Sequence, residues 1–155
     1  MTIHKIYALI LGNIASSLWF SPGLAKLLHK IRGVRFKNRK SVFLGRGVII
    51  DNRYPELVSI GEDVWLTASV VILTHSFSSK LQRKLFGLEE ATGRVSIGDG
   101  VFVGAGAIIC PGVKISENSY IAAGSVITKN VPANVVVAGN PSKVIKTLSY
   151  KIDKI

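Results

Sequence analysis

Between residues 97 and 132 an aliphatic or β-branched residue returns at every sixth position. Written in sixes, the stretch is IGDGVF, VGAGAI, ICPGVK, ISENSY, IAAGSV, ITKNVP. The first column holds Ile97, Val103, Ile109, Ile115, Ile121 and Ile127. The fifth holds the small or β-branched Val101, Ala107, Val113, Ser119, Ser125 and Val131. The fourth holds Gly100, Gly106, Gly112, Asn118, Gly124 and Asn130, residue types that tolerate a positive φ. A period of six fits neither a helix of 3.6 nor a flat strand of two. It fits a short strand followed by a corner, repeated. Three such units close one three-sided turn, and successive turns stack at the parallel-strand spacing of roughly 4.8 Å. Equivalent columns then lie over one another as inward aliphatic ladders. This is the pattern of a hexapeptide β-helix.

The same beat runs upstream. Leu44 and Ile50 mark it in LGRGVI, and Ile60, Leu66 and Ile72 mark it in IGEDVW, LTASVV and ILTHSF. The step from Ile50 to Ile60 is ten, which places a small loop near Asn52–Glu56. After Ile72 the next ladder residue is due at 78 and arrives at 97, directly after His75. The intervening polar, out-of-register segment, 76–95, is expected to be an extended arm leaving the coil at a corner. At the far end, Asn140 and Pro141 in AGNPSKVIKTL suggest an N-cap and first helical position, with Val144, Ile145 and Leu148 as the apolar face of a short helix over the last coil. The expected organisation is a helical segment over 1–32, the coil with its arm over 33–139, and a C-terminal helix and tail over 140–155.

Charge is unevenly placed. The formal net charge is +11, and no Asp or Glu precedes Asp51, whereas nine Lys or Arg do. Residues 6–25 carry no charge, but Asn13, Ser16, Ser17 and Ser21 interrupt them, and Ser21-Pro22 marks a helix start. Two helices are expected, about 3–20 and 22–32. The second sets Leu24, Leu27, Leu28 and Ile31 on one stripe with Lys26, Lys30 and Arg32 largely off it. Three roles compete for this segment: peripheral contact with an anionic membrane, packing on the protein's own body or a partner subunit, and a span or signal peptide. The last lacks a small-x-small cleavage site. The basic cluster has no interleaved stacking aromatics, which argues against nucleic acid. His4 and His29 fall in these helices and are expected to be interfacial or solvated. The single cysteine, Cys110, excludes an internal disulfide and reads as a small buried thiol.

Over roughly residues 42–147 the chain resembles the hexapeptide-repeat acyltransferases, in particular the maltose and galactoside acetyltransferase group and the polysaccharide O-acetyltransferases. The matching pieces are ILTH, an arm, VSIGDGVFVGAGAIICPGVKI, IAAGSVITKNVP and AGNPSKVIK, in that order and spacing. The resemblance implies an all-β fold, a left-handed parallel β-helix with N-terminal helices, an arm and a C-terminal helix. It also implies a homotrimer with acetyl-CoA bound between neighbouring prisms and no metal. Flat prism faces support that arrangement, because packing three of them hides surface and creates three equal clefts. The charged fraction of only 19 % is consistent with hidden faces.

Acetyl transfer to a hydroxyl needs a base for the hydroxyl proton, donors for the oxyanion, and exclusion of water. His75 follows a ladder strand and precedes the arm, where the wall opens, and the resembled family has a histidine before its arm. His75 is therefore the expected general base. The resemblance places Ala105 by the thioester, Ala123 by the pantetheine, Thr128 and Lys129 at the nucleotide end, and Lys143 and Lys146 near the CoA phosphates. Asp51 and Asn52 fall where related sugar acetyltransferases contact the acceptor, although Asp51 could equally orient His75 or cap a turn. Phe102 stands where many relatives have tryptophan. The expected activity is acetyl-CoA-dependent O-acetylation of a sugar hydroxyl on a glycan or lipid-linked saccharide, of capsule, O-antigen or exopolysaccharide type, at the inner face of the membrane or in the cytoplasm. N-acetylation of an amino sugar, acetylation of a small molecule, and a non-catalytic assembly subunit are the alternatives.

Overall fold

The computed structural model describes residues 3–18 and 21–149, with backbone alone at 3–5. Helix α1 (Ile3–Ser17) and helix α2 (Pro22–Ile31) come first. Pro22 opens α2 as its fixed φ favours, although the Ser21 hydroxyl makes no capping bond. The expected extension of α1 to residue 20 ends in residues outside those described.

From Arg35 the chain lays short strands on three sides in rotation. β1 (Arg35–Phe36), β2 (Phe43–Leu44) and β3 (Ile49–Ile50) start the three sides. After a 3-10 turn at Pro55–Leu57, β4 (Val58–Ile60), β5 (Trp65–Leu66) and β6 (Val71–Ile72) lie on the same sides in the same order. The arm follows, with β7 (His75–Ser76), α3 (Lys80–Phe86) and β8 (Ala91–Thr92). The coil resumes with β9 (Val95–Ile97), β10 (Phe102–Val103) and β11 (Ile108–Ile109), then β12 (Lys114–Ile115), β13 (Tyr120–Ile121) and β14 (Val126–Ile127). β15 (Val135–Ala138) and β16 (Lys143–Thr147) complete it. Three sheets result: β1-β4-β9-β12, β2-β5-β10-β13-β15-β16 and β3-β6-β11-β14. All pairs within them are parallel except β15 with β16. Ser96 pairs with Lys114, Phe102 with Tyr120 and Ile108 with Val126, so each turn of the coil takes eighteen residues.

The two aliphatic columns fill the interior. Ile109, Ile115, Ile121 and Ile127 are wholly buried, and the fifth-column residues are at most 3 % exposed. Burying each such side chain stabilises by roughly 1.5–3 kcal/mol. The corners keep a left-handed backbone at Gly47, Asp63, Ser69, Gly100, Gly106, Gly112, Asn118 and Gly124. Asn130, in the same column, has no positive φ. Its side-chain carbonyl instead accepts the Lys114 N–H at 2.8 Å, and Asn134 takes the left-handed turn as the hexad rhythm ends.

Outward residues give each face its own chemistry. The first sheet presents Arg35, Ser59, Ser96 and Lys114. The second presents Phe43, Trp65, Phe102 and Tyr120, stacked pairwise at 4.8 Å (Phe43 on Trp65) and 4.6 Å (Phe102 on Tyr120). The third presents Ile49, Val71, Ile108 and Val126.

The expected C-terminal helix is a strand. β16 pairs antiparallel with β15 across Val137–Val144 and Val135–Thr147. Val144, Ile145 and Thr147 are β-branched and prefer an extended backbone, and the second sheet offers an unpaired edge that a helix would leave open.

Candidate functional site

His75 is the first residue of β7, at the edge where the coil stops turning from the third sheet to the first. Its Nδ1 lies 2.6 Å from Oδ2 of Asp51. Asp51 follows β3, one coil earlier, in the loop that the ten-residue step produces. Oδ1 of Asp51 accepts the N–H groups of Arg53 at 2.7 Å and Tyr54 at 3.2 Å, which caps that loop. Oδ2 also accepts the Thr74 N–H at 2.8 Å. Burial pushes the Asp51 carboxyl up, but the bonds from Thr74, Arg53 and His75 outweigh it and hold the group below the usual carboxylate range. An ionised carboxylate only accepts, so Nδ1 of His75 carries the proton and Nε2 presents its lone pair.

Asp51 is thus committed to its own loop and to His75. Its side chain is fully buried, and two donors occupy each oxygen. Asn52 is committed as well: Oδ1 accepts from Arg32 at 3.0 Å, and Nδ2 faces Oδ1 of Asn13 at 3.4 Å. It fastens the helices to the loop. Gly12 of α1 passes so close that a Cβ there would fall 1.9 Å from Asn52 Oδ1.

Arg32, just past α2, was not singled out from the sequence and is the centre of this attachment. It is 2 % exposed. Its guanidinium donates to the carbonyls of Asp51 at 2.7 Å and Ile50 at 2.5 Å, and to Nδ1 of His29 at 2.9 Å. Burial lowers its pKa to about 10 while Asp51 raises it, so it stays charged at neutral pH. His29 is buried instead of solvated. Desolvation first, then Arg32, lowers its pKa to about 3, and the neutral ring serves as an acceptor. His4 lies outside the residues whose side chains are described.

Aromatic and arm residues box in the imidazole. Phe77 meets it edge-on at 4.5 Å and Tyr54 at 5.8 Å. The Arg53 guanidinium lies over Phe77 at 4.5 Å and over Tyr54 at 5.5 Å. Glu90 of the arm accepts from the Tyr54 hydroxyl at 3.3 Å and pairs with Arg53 at 3.6 Å. The arm is not a simple extended loop. β7 and β8 pair antiparallel, His75 opposite Thr92, and α3 caps the excursion through a reciprocal Ser79–Gln82 box. Leu81, Leu85 and Phe86 are all at least 60 % exposed, so the arm turns an apolar surface outward.

The residues expected to hold the acyl donor lie on two edges. Ala105 and Ala123 are exposed and occupy equivalent corners after β10 and β13, one coil apart, with the Gly124 N–H donating to the Ala105 carbonyl at 2.8 Å. Thr128 and Lys129 follow β14, on the edge that carries His75. Lys143 and Lys146 are exposed on β16. One chain thus brings His75 to Asp51 but leaves the alanines a full sheet width away. Cys110 packs against the core, where burial raises its thiol pKa. Among the described residues no three of His, Cys, Asp and Glu gather as metal ligands.

Residues 94–129 match the family model described as bacterial transferase hexapeptide (six repeats). Protein CapG of Staphylococcus aureus is 42 % identical over 101 residues, 65 % of this chain and 59 % of that protein. The crystal structure of a maltose O-acetyltransferase from Clostridium difficile 630 superposes with a TM-score of 0.64 at 27 % identity, over 95 % of this chain and 87 % of that one. A galactoside acetyltransferase in complex with coenzyme A superposes with a TM-score of 0.66 at 24 % identity, over 99 % and 90 %, a likeness of fold. The match spans 47 % of one curated relative, 62 % of another and 59 % of CapG.

Proposed function

We propose that this chain, which carries the hexapeptide repeat of bacterial transferases, moves an acetyl group from acetyl-CoA to a sugar hydroxyl. The observation that carries the reading is the Asp51–His75 pair, set where the coil opens and the arm departs. Nε2 of His75 takes the proton of the acceptor hydroxyl as its oxygen attacks, and Asp51 holds the ring in the tautomer that leaves Nε2 free. The resulting imidazolium is stabilised by the same carboxylate. Phe77 and Tyr54 limit water around the ring. Acetyl-CoA supplies the activated acyl group; as the ester C–O bond forms the thioester C–S bond breaks, and the departing CoA sulfur takes the proton from the imidazolium.

The residues present fit such a donor. Ala105 and Ala123 leave a smooth exposed corner that larger side chains would fill, suited to an uncharged pantetheine. Lys129, Lys143 and Lys146 offer exposed point charges for phosphates. Because His75 and the alanines occupy different edges, the complete site belongs to a cleft between sister chains. The apolar outward columns of the second and third sheets are the surfaces that a homotrimer would cover. A left-handed coil is part of this reading, as are a cytoplasmic supply of acetyl-CoA and a glycan or lipid-linked saccharide as acceptor.

The test combines calorimetric titration with CoA and acetyl-transfer assays over a panel of saccharides. His75→Ala should bind CoA normally and lose about 10²–10⁴-fold in turnover. Near-normal turnover by that variant would refute the assignment, and no heat with CoA would leave a scaffold protein.

A further inference from the structure

Helices α1 and α2 pack with the wrong side inward for an ordinary surface helix. α1 buries Ala8, Gly12 and Ala15 and leaves Ile6, Tyr7, Leu9, Ile10 and Ile14 exposed. α2 buries Ala25 and His29, and Arg32 beyond it, while Leu24, Leu27 and Ile31 face out. These outward residues are 38–63 % exposed, far more apolar surface than a monomer leaves unpartnered on two adjacent helices. Among the described residues no helix is long and apolar enough to cross a membrane. α1, at fifteen residues, extends about 22 Å, suited to lying along a surface.

The charges around this face are mostly basic, with Glu56 beside Gly33 and Asp63 beside Ser41 as the acidic exceptions. No acidic residue occurs before Asp51; Lys30 is an exposed cation on α2, and Lys40 is exposed next to Arg39, whose guanidinium reaches the Gly23 carbonyl of α2 at 3.2 Å. Four acidic groups elsewhere are engaged: Asp51 with His75, Glu62 and Asp99 with Lys37, Glu90 with Arg53. Packing this face on the same face of a second copy would set its lysines against each other. The complementary partner is an external anionic surface.

We infer that α1 and α2 dock the protein on an anionic lipid bilayer through Ile10, Ile14, Leu24, Leu27 and Ile31, with Lys30 and Lys40 meeting the headgroups. The helices are bonded to the loop that carries Asp51, the partner of His75, through Arg32 to Asp51 and Asn52 to Asn13. The dyad therefore stands within about one helix diameter, ~10 Å, of the docked face. Resting on the acyl-transfer reading, this narrows the acceptor to a saccharide carried on a membrane lipid.

Cosedimentation with sonicated vesicles decides it, using phosphatidylcholine alone and a mixture with phosphatidylglycerol. The whole chain should pellet with the mixed vesicles and stay in solution with the neutral ones. Lys30→Glu/Lys40→Glu should weaken partitioning by roughly 30-fold or more, and Ile10→Asp/Leu27→Asp/Ile31→Asp should abolish it, both with CoA binding retained. Equal recovery in solution with and without phosphatidylglycerol overturns the inference, as does equal binding to both vesicles. A change of oligomeric state in the triple variant by sedimentation velocity overturns it too, since the face then belongs to a second copy. His75→Ala should bind vesicles like the parent chain, so failure of the docking and failure of the catalytic reading are seen separately.

Discussion

The carboxylate of Asp51 and the imidazole of His75 are joined across a gap of 24 residues by a 2.6 Å contact, and the chain secures both ends of it. Thr74, the residue before His75, donates its N–H to the same carboxylate oxygen. The carboxylate thus holds both the imidazole and the backbone that carries it. This explains why the coil breaks its rhythm here: the loop after β3 supplies the acid, and the arm lets the ring face outward.

Replacing the acid by its amide separates orientation from charge. Asp51→Asn keeps the volume but brings a donor group to the site and removes the negative charge behind the imidazolium. Turnover should fall about 10²–10⁴-fold with CoA affinity unchanged. Turnover within a factor of three of the parent chain would show that Asp51 merely caps its loop.

Arg32 should act on turnover through Asp51 and on stability through its own bonds. Arg32→Met strands the carbonyls of Ile50 and Asp51 in a buried site, which should cost about 2–4 kcal/mol in urea unfolding. Arg32→Lys keeps the charge but not the planar fork, and should recover part of the stability while kcat stays low. A lysine variant that is fully stable and equally fast would remove Arg32 from the positioning of the dyad.

The hexad columns were legible because a ladder residue's burial follows from its position in the repeat alone. His75 stood out because the rhythm stops beside it. The Arg32 bonds were hidden: nothing local in a basic helix says which arginine turns inward, and its partners lie 18–20 residues away. The orientation of α2 was hidden for the same reason, since Arg32 and His29 take the inward side and push the leucines out. The C-terminal strand was misjudged because Val144, Ile145 and Leu148 have helical spacing, whereas the open edge of the second sheet, invisible in sequence, decided their conformation.

The left-handed corners give a test of the fold itself. Ser69 holds φ at +59° and Gly106 at +69° in equivalent places. Ser69→Gly should stabilise by up to about 1 kcal/mol, and Gly106→Ala should destabilise by about 1 kcal/mol. Opposite signs in thermal unfolding would mean that the corners are not conformationally strained.

Acid should loosen the helices before it reaches the carboxylates. His29 is neutral in the folded protein, with its pKa near 3 against 6.5 when exposed, because burial and Arg32 both oppose its charge. Between those values the unfolded chain binds the extra proton. The His29 contribution is therefore complete above pH 6.5 and is lost as pH falls toward 3, at up to about 1.4 kcal/mol per pH unit. Asp51, whose pKa is lowered from 3.8, begins to add its own loss only further down, near and below pH 4. Urea unfolding at pH 7, 6 and 5 should show a falling midpoint in the parent chain and a flatter one in His29→Gln, whose amide oxygen can still accept from Arg32. Parallel slopes in the two proteins would mean that this ring is protonated in the fold, and the account of Arg32 donating to it would fail with it.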